Sequence, residues 1–147
     1  MKPITVSTTV PRPREEVFAF LDVLGNHEPF TNHMLVDWTL SGPDRGAGAR
    51  ARMRANLPGP KDWVDMEVLE SRPPERIVEN AIGAQGRRRT RGTYTLSETP
   101  EGGTHVAFEL AYELMPARER VISPLLRAWL QRGNQKAMDR LRDTLTA

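Results

Sequence analysis

Apolar and polar residues alternate along most of this chain, and turn-forming sequences interrupt the alternation at short intervals. A first alternating segment runs from Ile4 to Val10, and six more lie between Val36 and Glu113. Alternation with a period of two predicts β-strands with one buried face. Because only short turns separate the last six segments, successive strands are expected to pair as an antiparallel meander. The pattern therefore predicts a curved antiparallel sheet of about seven strands.

The remaining segments have helical character. Pro13 suits the first turn of a helix after the first strand, and residues 26–33 form a loop or a second short helix. Apolar residues recur at helical spacing over residues 126–145, which predicts one long C-terminal helix. Pro124 marks either a kink or a restart of this helix with Ser123 as N-cap. Since only this helix is large enough to cover the inner face of the sheet, the predicted fold class is α+β.

Length and composition fit a single domain, residues 1–147. Hydrophobic residues make up 38% of the chain and charged residues 27%, which is typical of a soluble globular protein. There is no cysteine, so the protein cannot form a disulfide or a zinc–thiolate site. No apolar run approaches the roughly 18 residues of a membrane span, and the N-terminus lacks the apolar core of a signal peptide. We therefore expect a cytoplasmic protein without integral membrane association.

Small side chains on facing surfaces predict a hollow between the sheet and the long helix. Ala51 and Ala55 on the third strand would oppose Gly133 and Ala137, which lie one turn apart on the helix. We expect an internal pocket on the order of several hundred Å³, the usual size of a small-molecule site. The residues assigned to its wall share an inward position by strand or helix periodicity: Trp38, Met53, Met66, Asn80, Thr90, Tyr94, Phe108, Tyr112, Leu126, Trp129, Leu130 and Gly133.

Polar residues on the inner faces are the most informative part of this set. Thr90, Tyr94 and Tyr112 face inward by parity. Asn80 also faces inward in one register of the fifth strand, but that strand has apolar residues at both parities and its register stays open. A buried polar group needs a partner, which is either a neighbouring side chain, water or a bound ligand. The inner faces offer no carboxylate or histidine that periodicity places there with certainty.

Four further residues are assigned to the mouth of the pocket: His27, Phe30, His33 and Arg88. The two histidines are either entrance residues or exposed loop residues, and their spacing matches no standard metal site. We therefore expect no metal and no cofactor. Arg88 shares the inner side of its strand with Tyr94, near the strand end, where it could reach an anionic group of a ligand.

The basic residues are mostly arginine, and several alternate along strands. Only Lys2, Lys61 and Lys136 are lysines among 21 basic residues, and the formal net charge is +2. Rows at residues 50–54 and 87–91 resemble a nucleic-acid patch, but acidic residues on neighbouring strands provide cross-strand partners. Those partners are Asp65, Glu67, Glu79, Glu109 and Glu113. A solvated ionic outer face is the better interpretation, and no nucleic-acid partner is expected.

Five short sequences, in this order and spacing, match a known pattern: residues 11–18, 42–48, 69–77, 92–96 and 102–106. They resemble the SRPBCC superfamily, also called START-like or birch-pollen-allergen-like, and its bacterial polyketide cyclase/dehydrase and lipid-transport branch in particular. The resemblance covers nearly the whole chain. It implies the helix-grip fold, in which a curved sheet wraps around a long C-terminal helix, with two short helices after the first strand.

The resemblance and the predicted pocket favour one function and leave two others open. The first is binding of a hydrophobic small molecule, lipid or polyketide in the internal cavity. The second is an aromatase/cyclase-type enzyme acting on a polyketide in the same cavity, which needs an internal general acid or base. The third is a protein-interaction module, whose expected large apolar surface patch is not visible in the sequence. The protein is expected to be a monomer or a homodimer.

Overall fold

The computed structural model describes residues 1–56 and 61–147. The elements, in chain order, are β1 (Ile4–Val10), α1 (Arg14–Asp22), a 3₁₀ turn (Leu24–His27), α2 (Glu28–Thr31), β2 (Leu35–Ser41), β3 (Arg50–Ala55), β4 (Asp62–Arg72), β5 (Arg76–Gly83), a 3₁₀ turn (Ala84–Gly86), β6 (Arg88–Glu98), β7 (Thr104–Leu114), α3 (Ala117–Val121) and α4 (Ser123–Thr146). The sequence Pro58-Gly59-Pro60 predicts a turn, and alternation places Leu57 on the inner face of the third strand; both positions lie outside the described residues.

The strands form one antiparallel sheet in the order β1-β7-β6-β5-β4-β3-β2. Strands β2 to β7 pair in sequence order as a meander, and β1 pairs with β7 on its other side, with Ile4 opposite Leu110. Helix α4 packs along β1, where Gln135 Nε2 donates to the carbonyl oxygen of Ser7 at 3.0 Å. The curved sheet around a long C-terminal helix confirms the predicted helix-grip fold of the α+β class.

Most strands bury the side chains that alternation predicts. On β3 and β4 the buried residues are Ala51, Met53, Ala55, Val64, Met66 and Val68. On β6 and β7 they include Thr90, Tyr94, Leu96, Val106 and Phe108. Burial of these side chains against α4 is the main contribution to stability, at about 1.5–3 kcal/mol for each large apolar side chain. No helix within the two described ranges is both long enough and apolar enough to cross a membrane.

Strand β2 departs from simple alternation. Leu35 pairs with Ala55 on the inner side and Val36 pairs with Arg54 on the outer side, and the register then shifts before Thr39. The shift occurs at Asp37, whose backbone φ of 58° lies in the left-handed region. Strict alternation would place Leu35 and Trp38 on opposite faces of β2, because their numbers differ in parity. Because of this irregularity, both side chains border the same internal space.

Strand β5 takes the register opposite to the one that places Asn80 inside. Asn80 pairs with Glu67 and Arg91, which belong to the polar outer rows. Glu79 faces inward instead and is 5% exposed. The prediction was wrong for both residues because the apolar residues of β5 fall at both parities, so hydrophobicity does not distinguish its two faces.

Of the two forms that Pro124 allows, a kink or a restart, the C-terminal helical region takes the restart. Pro116 precedes α3, and α4 begins at Ser123 with Pro124 in its first turn, where proline is tolerated. The N-cap residue is Ile122 rather than Ser123, and within the described residues no side chain caps this helix end. Leu126 N–H donates to the Ile122 carbonyl at 2.9 Å, which is the first turn of α4.

The arginines of β3 form the predicted ionic outer surface. Arg50 lies 3.8 Å from Glu67, and Arg52 lies 3.4 Å from Asp65. Arg54 pairs with Asp37 of β2 at 3.6 Å. These side chains are about half exposed, so each ion pair is expected to contribute about 1 kcal/mol or less.

Replacing Arg52 with alanine is therefore expected to change the free energy of unfolding by at most about 1 kcal/mol. The guanidinium also lies 5.0 Å from the Trp63 ring centroid, and loss of that exposed contact is included in the figure. Urea denaturation of the variant and the wild type gives the difference. A loss of several kcal/mol, or a loss of binding to any small molecule that the wild type binds, would contradict the outer-surface assignment.

Candidate ligand cavity

A cavity of about 130 Å³ lies between the inner face of the sheet and α4. Its volume is below the several hundred Å³ expected from the sequence. Eight of the residues assigned to the wall do line it: Trp38, Met66, Thr90, Tyr94, Phe108, Tyr112, Trp129 and Leu130. Cavities near 150 Å³ take up benzene, so this space suits a group of about one aromatic ring.

Four residues assigned to the wall lie outside it: Met53, Asn80, Leu126 and Gly133. Met53 and Leu126 are buried in close-packed core, with 0% and 1% exposure. Asn80 lies on the outer side of β5. These residues support the sheet and the helix without bordering the open space.

Gly133 lies under Met34, and this contact explains much of the missing volume. A Cβ atom at Gly133 would lie 2.5 Å from Met34 Sδ and 3.2 Å from Met34 Cγ. The Met34 side chain, 7% exposed, therefore occupies the space that a small residue on α4 leaves free. Gly133 allows close approach of the segment between α2 and β2 to the helix.

Gly133→Leu is accordingly expected to overpack this contact and to lower the free energy of unfolding by about 1–3 kcal/mol. Ala128→Leu, on the exposed side of the same helix, is the matched control and should leave stability nearly unchanged. Thermal and urea unfolding measure both variants. Leucine also gains about 1 kcal/mol of helix propensity over glycine, so a stability of Gly133→Leu that rises by about 1 kcal/mol or more would show that Met34 does not fill the site.

His27 lies inside the cavity wall rather than at its mouth, with 2% exposure. Its Nε2 lies 2.7 Å from the carbonyl oxygen of Leu21. Because a carbonyl only accepts, Nε2 carries the proton and Nδ1 is an unprotonated acceptor. The ring packs against Phe30 and Tyr94, with centroids 5.3 and 5.4 Å away. Burial lowers the pKa of His27 to about 4, so the imidazole is neutral at neutral pH.

Phe30 and His33, which the sequence assigns to the cavity mouth, also have other positions in the structure. Phe30 is 1% exposed and packs behind His27, so it supports the wall from the core side. His33 Nε2 donates to the Gly133 carbonyl at 2.7 Å, and its Nδ1 accepts from Arg140 at 2.9 Å. His33 therefore fastens the segment after α2 to α4. Partial burial lowers its pKa below the ordinary value.

Glu79 is the carboxyl group that sequence reasoning did not place in the cavity. Its Oε2 is buried and makes no hydrogen bond with any residue in the described ranges. The same atom lies 4.0 Å from His27 Nδ1. Burial raises the pKa of Glu79 to about 8, so it is mostly protonated at neutral pH. The cavity thus contains a neutral acid next to a neutral base.

Gly92 leaves the room that Glu79 needs. It pairs with Glu79 across β5 and β6. A Cβ at this position would lie 3.1 Å from Glu79 Oε1 and 2.9 Å from Phe108 Cε1. Any larger residue would displace the carboxyl group or the Phe108 ring, so Gly92 positions both.

Arg88 is buried in an ion cluster and does not reach a cavity mouth. Its Nε lies 3.1 Å from Glu119 Oε1, and its Nη1 lies 2.9 Å from Asp62 Oδ2. Tyr112 also donates to Glu119 Oε1, at 3.1 Å. Burial lowers the pKa of Arg88, but the hydrogen bonds and charge of Glu119, and then the charge of Asp62, outweigh it and raise the pKa. Two carboxylates already contact Arg88, so its guanidinium has no free charge to offer an anionic group of a ligand.

The wall contains several further residues that sequence reasoning missed: Thr31, Met34, Leu35, Glu79, Asn134 and Met138. Helical spacing places Met138 on the apolar face of α4, and this position could have identified it as a wall residue. The rule that charged residues face solvent predicts that Glu79, Asp62 and Glu119 are exposed, whereas their side chains are largely buried. Within residues 1–56 and 61–147, no group of three or more potential ligand side chains could hold a metal ion.

Comparison with known families agrees with this architecture. Residues 1–146 match the family described as polyketide cyclase / dehydrase and lipid transport. The chain belongs to this family. The resemblance to the SRPBCC superfamily is thereby confirmed. Comparison with curated proteins found no match.

Solved structures show the same fold at low sequence identity. The crystal structure of TTHA0849 from Thermus thermophilus has a TM-score of 0.80 and 21% identity, covering 99% of this chain and 97% of that one. The structure of Ara h 8.0201 has a TM-score of 0.69 and 12% identity, with 99% and 97% covered. DynU16, from the dynemicin biosynthetic locus, has a TM-score of 0.68 and 21% identity, and the match covers 100% of this chain and 48% of that one.

Proposed function

We propose that this protein binds a small hydrophobic molecule in the cavity between the sheet and α4. The observation that supports the proposal is the cavity wall itself, in which aromatic and methionine side chains surround one carboxyl group without a hydrogen-bond partner in the described residues. An apolar space with a few convergent polar groups is the usual form of a small-molecule site. The family description, which includes cyclases and lipid transport, is consistent with such a ligand.

The volume of the cavity limits the size of the ligand. A volume of about 130 Å³ is close to the ~150 Å³ that accommodates benzene. A ligand with a single ring fits the observed space, whereas a lipid with long acyl chains exceeds it. The aromatic rings of Trp38, Tyr94 and Phe108 in the wall favour an aromatic or similarly flat group through ring–ring contacts.

A cavity-filling variant tests the proposal. Ala137 is 2% exposed and lines the cavity, so Ala137→Leu should occupy part of the space without opening the fold. Binding of fluorobenzene, followed by ¹⁹F NMR, should weaken at least about tenfold, the effect of about 1.4 kcal/mol. Ala128→Leu, the same change on the exposed side of α4, is the control and should bind as the wild type does. Equal binding by all three proteins, or none by the wild type, would contradict the proposal.

A second candidate is an enzyme of the cyclase type, and the pair Glu79 and His27 specifically favours it. A protonated carboxyl can donate to a substrate carbonyl while an unprotonated imidazole nitrogen removes a proton from the neighbouring carbon. The 4.0 Å between Glu79 Oε2 and His27 Nδ1 places both groups at one site. Acetophenone in D₂O tests this chemistry: an enzyme should accelerate exchange of the methyl protons, and Glu79→Gln should abolish the acceleration. Exchange at the buffer rate with wild-type protein would argue for binding alone.

A further inference from the structure

We propose that the cavity selects an apolar molecule that carries a protonated amine, with Glu79 as its ion-pair partner. The inference rests on the proposed binding function and specifies the chemical class of the ligand. It follows from three observations: an inward carboxyl group without a partner in the described residues, a wall with no spare positive charge, and an unusual concentration of aromatic rings.

The charges around the cavity exclude an anionic ligand. Among the described wall residues, Arg88 is the one permanent cation, and it already contacts the carboxylates of Asp62 and Glu119. That cluster has one positive and two negative groups, so its net charge is negative. A carboxylate or phosphate entering the cavity would meet repulsion from this cluster, and the charge of Arg88 is already engaged by the two carboxylates.

The groups that face Glu79 leave it without a cation of its own. His27, from the 3₁₀ turn after α1, is neutral because burial lowers its pKa to about 4. Tyr94 on β6 also stays neutral, since burial and then the charge of Glu79 raise its pKa well above the ordinary value. Tyr112 on β7 donates its hydroxyl proton to Glu119. A ligand ammonium would therefore provide the cation that Glu79 lacks among the groups that face it.

The aromatic lining supports the same ligand class. Both tyrosines and two of the three tryptophans of the chain line this one cavity, together with Phe108. A cation over the faces of such rings is attracted by their negative faces, and desolvation strengthens the attraction. The same rings provide apolar contacts for the rest of the molecule, so charge and apolar surface of an arylalkyl amine are both accommodated.

The proposal predicts a measurable proton balance. At pH 7 the ligand arrives as an ammonium ion and Glu79 is mostly protonated, because burial raises its pKa to about 8. Formation of the ion pair ionises the carboxyl group, and its proton passes to the buffer. Binding should therefore release close to one proton at pH 7, and affinity should rise from pH 6.5 to pH 8.

Three single-ring probes of matched size test the ligand class: benzylamine, benzyl alcohol and benzoate. Isothermal titration calorimetry at pH 7, in two buffers of different ionisation enthalpy, gives both affinity and proton release. We expect benzylamine to bind about tenfold or more tighter than benzyl alcohol, as one charge-assisted hydrogen bond implies, and benzoate to bind weakest. In Glu79→Gln the preference for benzylamine and the proton release should both disappear. Glu109→Gln, an exposed change on β7, is the control and should retain them.

The wild-type measurements alone can overturn the proposal, so it does not depend on the folding of the variant. Equal affinity for benzylamine and benzyl alcohol, tighter binding of benzoate, or binding without proton release would each contradict it. If benzyl alcohol and fluorobenzene bind but the amine has no advantage, the ligand class is wrong and the binding function stands. If none of the probes binds, the proposed function fails as well. An amine preference that persists in folded Glu79→Gln would overturn the role of Glu79.

Discussion

Replacement of Arg88 with methionine is expected to lower the free energy of unfolding by about 3–5 kcal/mol. The change removes one guanidinium from a site where its side chain is 6% exposed and that of Glu119 is 5% exposed. Both Glu119 and Asp62 would then be left without their cation in a poorly hydrated region. Gly83 is part of the same arrangement, because a Cβ there would lie 2.6 Å from Arg88 Nη1.

A double variant separates the ion cluster from general damage to the core. The double variant Arg88→Met, Glu119→Gln has one fewer buried carboxylate without a cation than Arg88→Met alone. Its loss of unfolding free energy should therefore be smaller than the sum of the two single-variant losses by about 0.5–3 kcal/mol. Arg89→Met, the exposed neighbour on β6, is the control and should stay within about 0.5 kcal/mol of the wild type. Urea denaturation provides all four values. A loss below about 1 kcal/mol in Arg88→Met would contradict the structural role assigned to the cluster.

The second large effect is a fall in stability of about 1–1.5 kcal/mol between pH 6.5 and pH 8, since each unit of pKa difference corresponds to 1.36 kcal/mol and Glu79 is only half ionised at pH 8. Over this interval the folded Glu79 carboxyl, with its pKa raised to about 8, keeps a proton that the unfolded chain has released. The folded state then binds more protons than the unfolded state, and stability falls as pH rises. The cost of the ionised buried carboxyl is fully present about one pH unit above its folded pKa.

His27 opposes this effect at lower pH. Its folded pKa of about 4 lies below the ordinary 6.5, so between these values the unfolded chain holds the extra proton and stability rises with pH. The slopes of His27 and Glu79 largely cancel between pH 4.5 and pH 6.5, which leaves the Glu79 slope alone above pH 6.5. Urea unfolding at pH 5.5, 6.5 and 8 should show the fall in the wild type and a nearly flat profile above pH 6.5 in Glu79→Gln. A wild-type stability that stays constant or rises to pH 8 would contradict the burial of Glu79.

The fold could be predicted because its determinants are local and repeated. Alternation on β3, β4, β6 and β7 sets which side chains are buried, and one slip of register would expose a whole row. The long amphipathic helix leaves a single way to cover that face. The five short matching sequences then identified the superfamily over the same elements, and the ionic pairs of Arg50 and Arg52 followed from strand order alone.

The chemistry of the cavity could not be predicted because it depends on exceptions to those local rules. Glu79 occupies an inward position that alternation assigns to an apolar residue, and the free space beside Gly92 that permits this is visible only in three dimensions. Glu119 meets Arg88 from 31 residues away, and nothing near it in the sequence indicates burial. Met34 fills the space that Gly133 leaves, so a small residue on the helix predicted a larger cavity than the one observed.

Native mass spectrometry of the protein purified from its own host tests the central claim most directly, because it shows what the cavity holds without a choice of probe. We expect one small-molecule adduct on the wild type and on Ala128→Leu, of a mass compatible with about one ring and a basic nitrogen. The adduct should be absent from Ala137→Leu, in which leucine occupies the cavity. A wild-type protein without any adduct, or an adduct that Ala137→Leu retains in full, would contradict the assignment of this cavity as the ligand site.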